Sequence, residues 1–193
     1  MRNARAYTSA RMQSSHEIQL PSPWVVRWAA LVRPGSEVLD LACGTGRHAR
    51  FLAARGCSVL AVDRDAEAIA ALATVAGVFT RVADLEGAAW PFAPSSFDAA
   101  VVANYLHRPL FGPIFDALRP GGVLVYETFM VGNERFGRPS NPEFLLRPGE
   151  LLAAVQGQLE VVAFEQGEVG APRAAVVQRI CAIKGAAGAA TIG

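Results

Sequence analysis

Lysine is almost absent from this 193-residue chain: of its 18 basic residues only Lys184 is a lysine, and the rest are arginine. Seventeen acids bring the formal net charge to +1, which sets the chain apart from strongly basic nucleic-acid binders. Because alanine and glycine are also abundant, the arginine bias reads as the mark of a GC-rich coding sequence and is not by itself a sign of phosphate recognition. Cysteine is scarce as well. Cys43, Cys57 and Cys181 show no CxxC spacing, which argues against a structural zinc site or a disulfide framework and leads to the expectation of a reducing, cytoplasmic setting with no metal. Long apolar runs are missing: none approaches the roughly 20 residues that span a bilayer, and the start of the chain has no apolar signal core. With 52% hydrophobic and 18% charged residues, the chain is not of the disordered type. Its length suffices for one ordinary domain and is too short for two large ones.

Short apolar runs alternate with amphipathic stretches. Ser22-Pro23 predicts an N-cap followed by proline at the first helical position, with Trp24, Val25, Trp28 and Leu31 on one face of a helix that ends near Val32 before Pro34-Gly35. Strands are predicted at Glu37–Leu41, Cys57–Val62, Val78–Ala83, Phe97–Ala103 and Val123–Thr128, with helices at Arg47–Arg55, Asp65–Ala76, Leu110–Leu118 and Pro148–Val155. Arg119-Pro120-Gly121-Gly122 reads as a strong break before the fifth strand. Leu159–Phe164 and Ala174–Ile183 read as a terminal antiparallel pair. The expected organisation is an N-terminal arm over 1–21, one domain over 22–184 and a disordered small-residue tail over 185–193. Alternation of this kind predicts an α/β fold, a doubly wound, mostly parallel sheet of seven strands whose ligands bind beyond the carboxyl ends of the strands at the switch in strand order.

The chemistry is therefore sought just after each strand. Val38-Leu39-Asp40-Leu41-Ala42-Cys43-Gly44-Thr45-Gly46 joins the first strand to a helix, and Asp63 closes the second strand. Glycines there permit close approach of a ligand to the backbone, the helix start offers free N–H groups, and an acid ending the second strand can accept from two ribose hydroxyls. Gly44-Thr45-Gly46-Arg47-His48-Ala49 also satisfies the weak GxGxxG/A dinucleotide pattern, which keeps an NAD(P)-dependent oxidoreductase as an alternative. Asp40 favours the other choice, because a carboxylate beside the glycine turn repels a pyrophosphate and suits a ligand bearing a sulfonium and an ammonium. Asp84, after the third strand, is placed to accept from an adenine amino group while a neighbouring N–H meets a ring nitrogen.

These residues resemble a known family. VLDLACGTGRHARFLAARGCSVLAVDRD, followed by VADLE and LRPGGVLVYE, is similar to the class I S-adenosylmethionine-dependent methyltransferases over about Val38 to Glu127. Ala42 stands where many members have glycine. The resemblance implies a Rossmann-like sheet with S-adenosyl-L-methionine as cofactor. It further implies that Asp40, Ala42, Gly44 and Gly46 line the methionine portion, that Asp63 takes the ribose, Asp84 and Leu85 the adenine, and that Asn104 lies near the transferring methyl. Phe144-Leu145-Leu146-Arg147-Pro148-Gly149-Glu150-Leu151 is similar to the C-terminal part of the tellurite-resistance type methyltransferases, which by analogy implies a thiol, selenium or tellurium acceptor. His107 and Tyr105 are the candidate general bases beyond the fourth strand, the imidazole being the better one near pH 7. Arg135 and Arg147 are the candidates for contact with a small anionic or soft acceptor. Asn104-Tyr105-Leu106-His107 lacks the Asn/Asp-Pro-Pro-aromatic run that grips a flipped amino base, so a small molecule rather than a nucleic acid is the expected partner. A cofactor-binding module without catalysis is the third reading.

Overall fold

Side-chain alternation along the strands decides how this chain layers. In the computed structural model, which describes residues 20–171 and 173–185, strands β1 (Glu37–Leu41), β2 (Ser58–Asp63), β3 (Val78–Val82), β4 (Phe97–Ala103), β5 (Leu118–Phe129), β6 (Leu159–Val169) and β7 (Ala175–Lys184) form one seven-stranded sheet in the order β3-β2-β1-β4-β5-β7-β6. The first five run parallel, and β7 enters antiparallel between β5 and β6. Leu39, Leu41, Val102, Leu124, Tyr126 and Ile180 point to one face, which is covered by α4 (Phe111–Ala117) and α5 (Glu150–Val155). Val38, Val59, Ala61, Val101, Val125 and Cys181 point to the other, under α1 (Pro23–Trp28), α2 (Arg47–Ala53) and α3 (Ala66–Ala70). Each fully buried aliphatic side chain contributes about 1.5–3 kcal/mol to this two-sided core. The doubly wound, mostly parallel sheet with an antiparallel terminal pair is the one the sequence predicts.

Boundaries depart from the sequence reading in physically explicable ways. Ser22 caps α1 as expected, its Oγ accepting from the Trp24 N–H at 3.1 Å, but the helix tightens to a 3₁₀ turn over Ala29–Leu31 and leaves Leu31 exposed instead of on the apolar face. The helix expected from Asp65 to Ala76 is α-helical only over Ala66–Ala70. Asp65 supplies its cap, yet alanines offer little surface to bury and only Ile69 is buried within it. The break at Arg119–Gly122 is absorbed into β5 through an irregularity between the Phe97 and Ala99 pairings, so the strand starts five residues earlier than predicted. Residues 1–19 of the expected arm and 186–193 of the expected tail lie outside the described residues. Among the described residues no helix is long and apolar enough to cross a membrane, and no group of three or more His, Cys, Asp and Glu side chains could hold a metal ion.

Candidate cofactor and acceptor site

The strand order reverses between β1 and β4, whose chain connections leave to opposite sides. The crevice at their carboxyl ends is where an open α/β sheet takes its ligand. Four left-handed residues shape it: Ala42 (φ 52°), Gly44 (φ 54°) and Gly46 (φ 75°) carry the turn from β1 into α2, and Asn104 (φ 57°) carries the turn out of β4. At Gly46 the restriction is double, since a Cβ there would also stand 2.5 Å from the Leu72 side chain.

Asp63 ends β2 and locks this turn. Its Oδ2 accepts from the Gly44 N–H at 2.8 Å and its Oδ1 from the Asp65 N–H at 3.0 Å, which leaves one lone pair on each oxygen for a ligand. Asp84 does the same for the turn after β3, its Oδ1 accepting from the Glu86 and Gly87 N–H groups at 3.0 and 3.1 Å. Those two amides, helped by Arg64 and His107, hold its carboxyl below the ordinary range. Asp63, Asp84, Leu85 and Ala42 come together with Arg64, Ala83, Glu86, Asn104 and Tyr105 around a cavity of about 260 Å³.

Asp40 has a different situation from the one the sequence suggests. Alternation along β1 puts it on the Val38 face, beneath the start of α2, where it is 1% exposed and lines none of the cavities described here. Its Oδ2 has no hydrogen-bond partner. Burial raises its pKa from 3.8 to about 7, against the pull of the Ala49 amide and Arg47, and Asp63 adds to the rise. Gly44 and Gly46 act through their backbone conformation and likewise are not among the lining residues of the cavities.

A larger cavity of about 590 Å³ lies on the other side of Asn104, and a third of about 210 Å³ also touches it. The large one is walled by the chain entering α1, by Arg47, by the ends of β5 and β7, and by the segment after β5. Glu127 and Arg179, paired across β5 and β7, form an ion pair at 3.3 Å that is largely withdrawn from solvent. Asn133 is buried and ties the segment after β5 to β7, its Oδ1 accepting from the Val176 N–H and its Nδ2 donating to the Pro139 carbonyl.

The candidate bases and acceptor residues are dispersed. Tyr105 lines the two smaller cavities. Burial, reinforced by the Glu86 and Asp84 carboxylates, raises its pKa, so the phenol stays protonated; its hydroxyl has no hydrogen-bond partner among the described residues. His107 heads the 3₁₀ turn Arg108–Leu110 and is absent from the linings of all three cavities. Arg135 pairs with Glu168 on the surface, and Arg147 offers its backbone to Glu150 and Gln178; neither lines a cavity. In their place the large cavity gathers Arg47, Arg138, Arg173 and Arg179. Of these Arg179 carries a signal in the sequence, as a charge in the middle of the apolar strand Ala175–Lys184. Trp24 is a core residue, 1% exposed, with Nε1 donating to the Ile180 carbonyl and its ring edge-on to Trp28.

Comparison with known proteins fits this geometry. The family profile described as Methyltransferase domain matches residues 38–122. A demethylmenaquinone methyltransferase of Beutenbergia cavernae is 38% identical over 109 residues, covering 50% of this chain and 42% of that one, so the chain spans less than half of that relative's length. Among solved structures, a SAM-dependent methyltransferase of Methanosarcina mazei superposes with a TM-score of 0.66 at 19% identity, over 87% of this chain and all of that one. TehB of Haemophilus influenzae gives 0.69 at 21% identity, over 83% of this chain and 61% of that one. The profile match falls on the segment that holds the glycine turn and the acids closing β2 and β3, so residues 38–122 are similar to a methyltransferase domain, and the solved structures share the fold of the sheet.

Proposed function

We propose that this chain transfers the methyl group of S-adenosylmethionine to a small-molecule acceptor. The observation that carries the reading is the meeting of two unlike cavities at Asn104: a small one walled by three carboxylates beside the glycine turn, and a large one open toward β5 and β7. The small cavity suits the adenosine end, with the spare lone pairs of Asp63 for the ribose hydroxyls and Asp84 with the Leu85 backbone for the adenine edge. When bound, the cofactor supplies a methyl carbon on a sulfonium, so that the acceptor's lone pair forms the new bond as the carbon–sulfur pair withdraws to sulfur. The protein's own part is alignment: Asn104, fixed by its N–H to the Glu127 carbonyl at 2.9 Å, sits between the two compartments.

No histidine, cysteine, lysine or tyrosine lines the large cavity among the described residues, and its one carboxylate, Glu127, is engaged by Arg179. A thiol, already a few per cent thiolate at neutral pH, or a more acidic selenol or tellurol, has less need of a base than an alcohol or a protonated amine, which supports a thiol, selenium or tellurium compound as the acceptor. Calorimetry with S-adenosylhomocysteine tests the reading. The expected result is saturable binding that falls at least about tenfold in Asp63→Ala. Stabilisation by NAD and none by S-adenosylhomocysteine would transfer the glycine turn to the oxidoreductase reading.

A further inference from the structure

From the charge on the wall of the large cavity we infer that the acceptor is an organic anion, an apolar body carrying one carboxylate or phosphate head group that Arg138 and Arg173 hold at the outer wall. The inference rests on the methyltransferase reading and adds the chemical class of the acceptor.

The cavity draws four arginines and one glutamate from a protein whose whole net charge is +1. Glu127 neutralises Arg179. Arg47, Arg138 and Arg173 form no ion pair among the described residues, although five other arginines of the chain do. Three unmatched cations facing one cavity repel one another, and their field draws anions into it. The cofactor accounts for one of them, since it bears a single carboxylate and Arg47 directly follows the glycine turn. Arg138 and Arg173 remain.

These two belong together. They come from segments far apart in sequence, one after β5 and one in the connection from β6 to β7, yet a Cβ built at Gly137 stands 3.7 Å from Arg173 Nη2. One guanidinium is thus laid against the residue before the other. The segment that carries Arg138 is anchored by buried Asn133 to Val176 and Pro139, so the pair is carried by a fixed wall. Two planar forks from one side match an oxyanionic head group. Phe129, Phe136 and Val177 supply apolar wall for the rest of the molecule.

Calorimetry on the full chain loaded with S-adenosylhomocysteine tests this with three probes that share a phenyl ring: benzoate, phenyl phosphate and benzamide. At least one anion is expected to bind about tenfold or more tightly than benzamide, with the preference shrinking as salt rises because the arginines are exposed. The stronger of the two anions assigns the head group. In the doubly substituted Arg138→Gln, Arg173→Gln protein the preference should vanish, while S-adenosylhomocysteine affinity stays within about twofold. Benzamide binding as well as the anions, neither anion binding at millimolar concentration, or a preference that survives the double substitution overturns the inference. Failure of S-adenosylhomocysteine itself to bind overturns the underlying methyltransferase reading instead.

Discussion

Asp40→Asn is expected to stabilise the ligand-free protein, by an amount that grows as the pH rises from about 4 to about 7. The carboxyl is 1% exposed, one of its oxygens is unpartnered, and its pKa stands near 7 instead of 3.8. Between those two pH values the native state keeps a proton that the unfolded state has released. Raising the pH through that window therefore removes stability, and the loss is complete above about pH 7. Raising that pKa from 3.8 to about 7 corresponds to about 4 kcal/mol as an upper bound, and relaxation around the charge brings the working figure to about 2 kcal/mol. Asparagine keeps the shape and one acceptor oxygen while removing the charge. Thermal unfolding of both proteins between about pH 4 and pH 8.5 reads the effect. At the low end the two should melt together; at the high end the variant should melt about 4–8 °C higher. A variant that is less stable than the parent at high pH, or a difference that does not change with pH, would refute the argument from burial. The same variant should lose affinity for the cofactor, because the buried charge that burdens the free protein is the one a neighbouring sulfonium and ammonium relieve.

Further outcomes follow from individual contacts. Gly46→Ala meets both a left-handed backbone and the Leu72 side chain at 2.5 Å; it should cost at least about 1–2 kcal/mol in denaturant titrations and abolish cofactor binding. Ala42→Gly relieves a non-glycine residue at φ 52° and should raise stability by about 1 kcal/mol, measured in the same titrations. Arg108 donates to Glu150 and to the Glu143 and Leu145 carbonyls at 2.5–2.9 Å; Arg108→Ala should cost about 2 kcal/mol and speed hydrogen exchange over residues 141–150. With burial keeping its phenol protonated, Tyr105→Phe should leave the pH profile of turnover unmoved, and a lost alkaline limb would show that it serves as a base.

How much of this was legible in the sequence depended on how local each cause was. Glu37–Leu41 and Phe97–Ala103 were readable to the residue because each is a short apolar run bounded by turn residues. The glycine turn and the acids closing β2 and β3 were readable because a strand, a tight turn and a helix start are contiguous in the chain. Asp40 was visible as a residue but not as a buried one, since the face it takes is set by where α2 packs. The acceptor side was the least legible. Arg135 and Arg147 lie near β5 along the chain, as does Arg138, whereas Arg173 and Arg179 reach the cavity because the β6–β7 pair folds back beside β5. Register across two strands more than 50 residues apart, Glu127 against Arg179, is a tertiary fact that periodicity does not contain.

The account turns on the cofactor lying across Asn104, with its adenosine in the acid-walled cavity and its sulfur turned toward the arginine-rich one. A crystal structure of the protein with S-adenosylhomocysteine tests this most directly. The account predicts the ribose hydroxyls on the Asp63 carboxylate, the adenine beside Asp84 and Leu85, and the sulfur facing the cavity that Arg138 and Arg173 line. An adenine found in that larger cavity, or a ribose with no contact to Asp63, would contradict it.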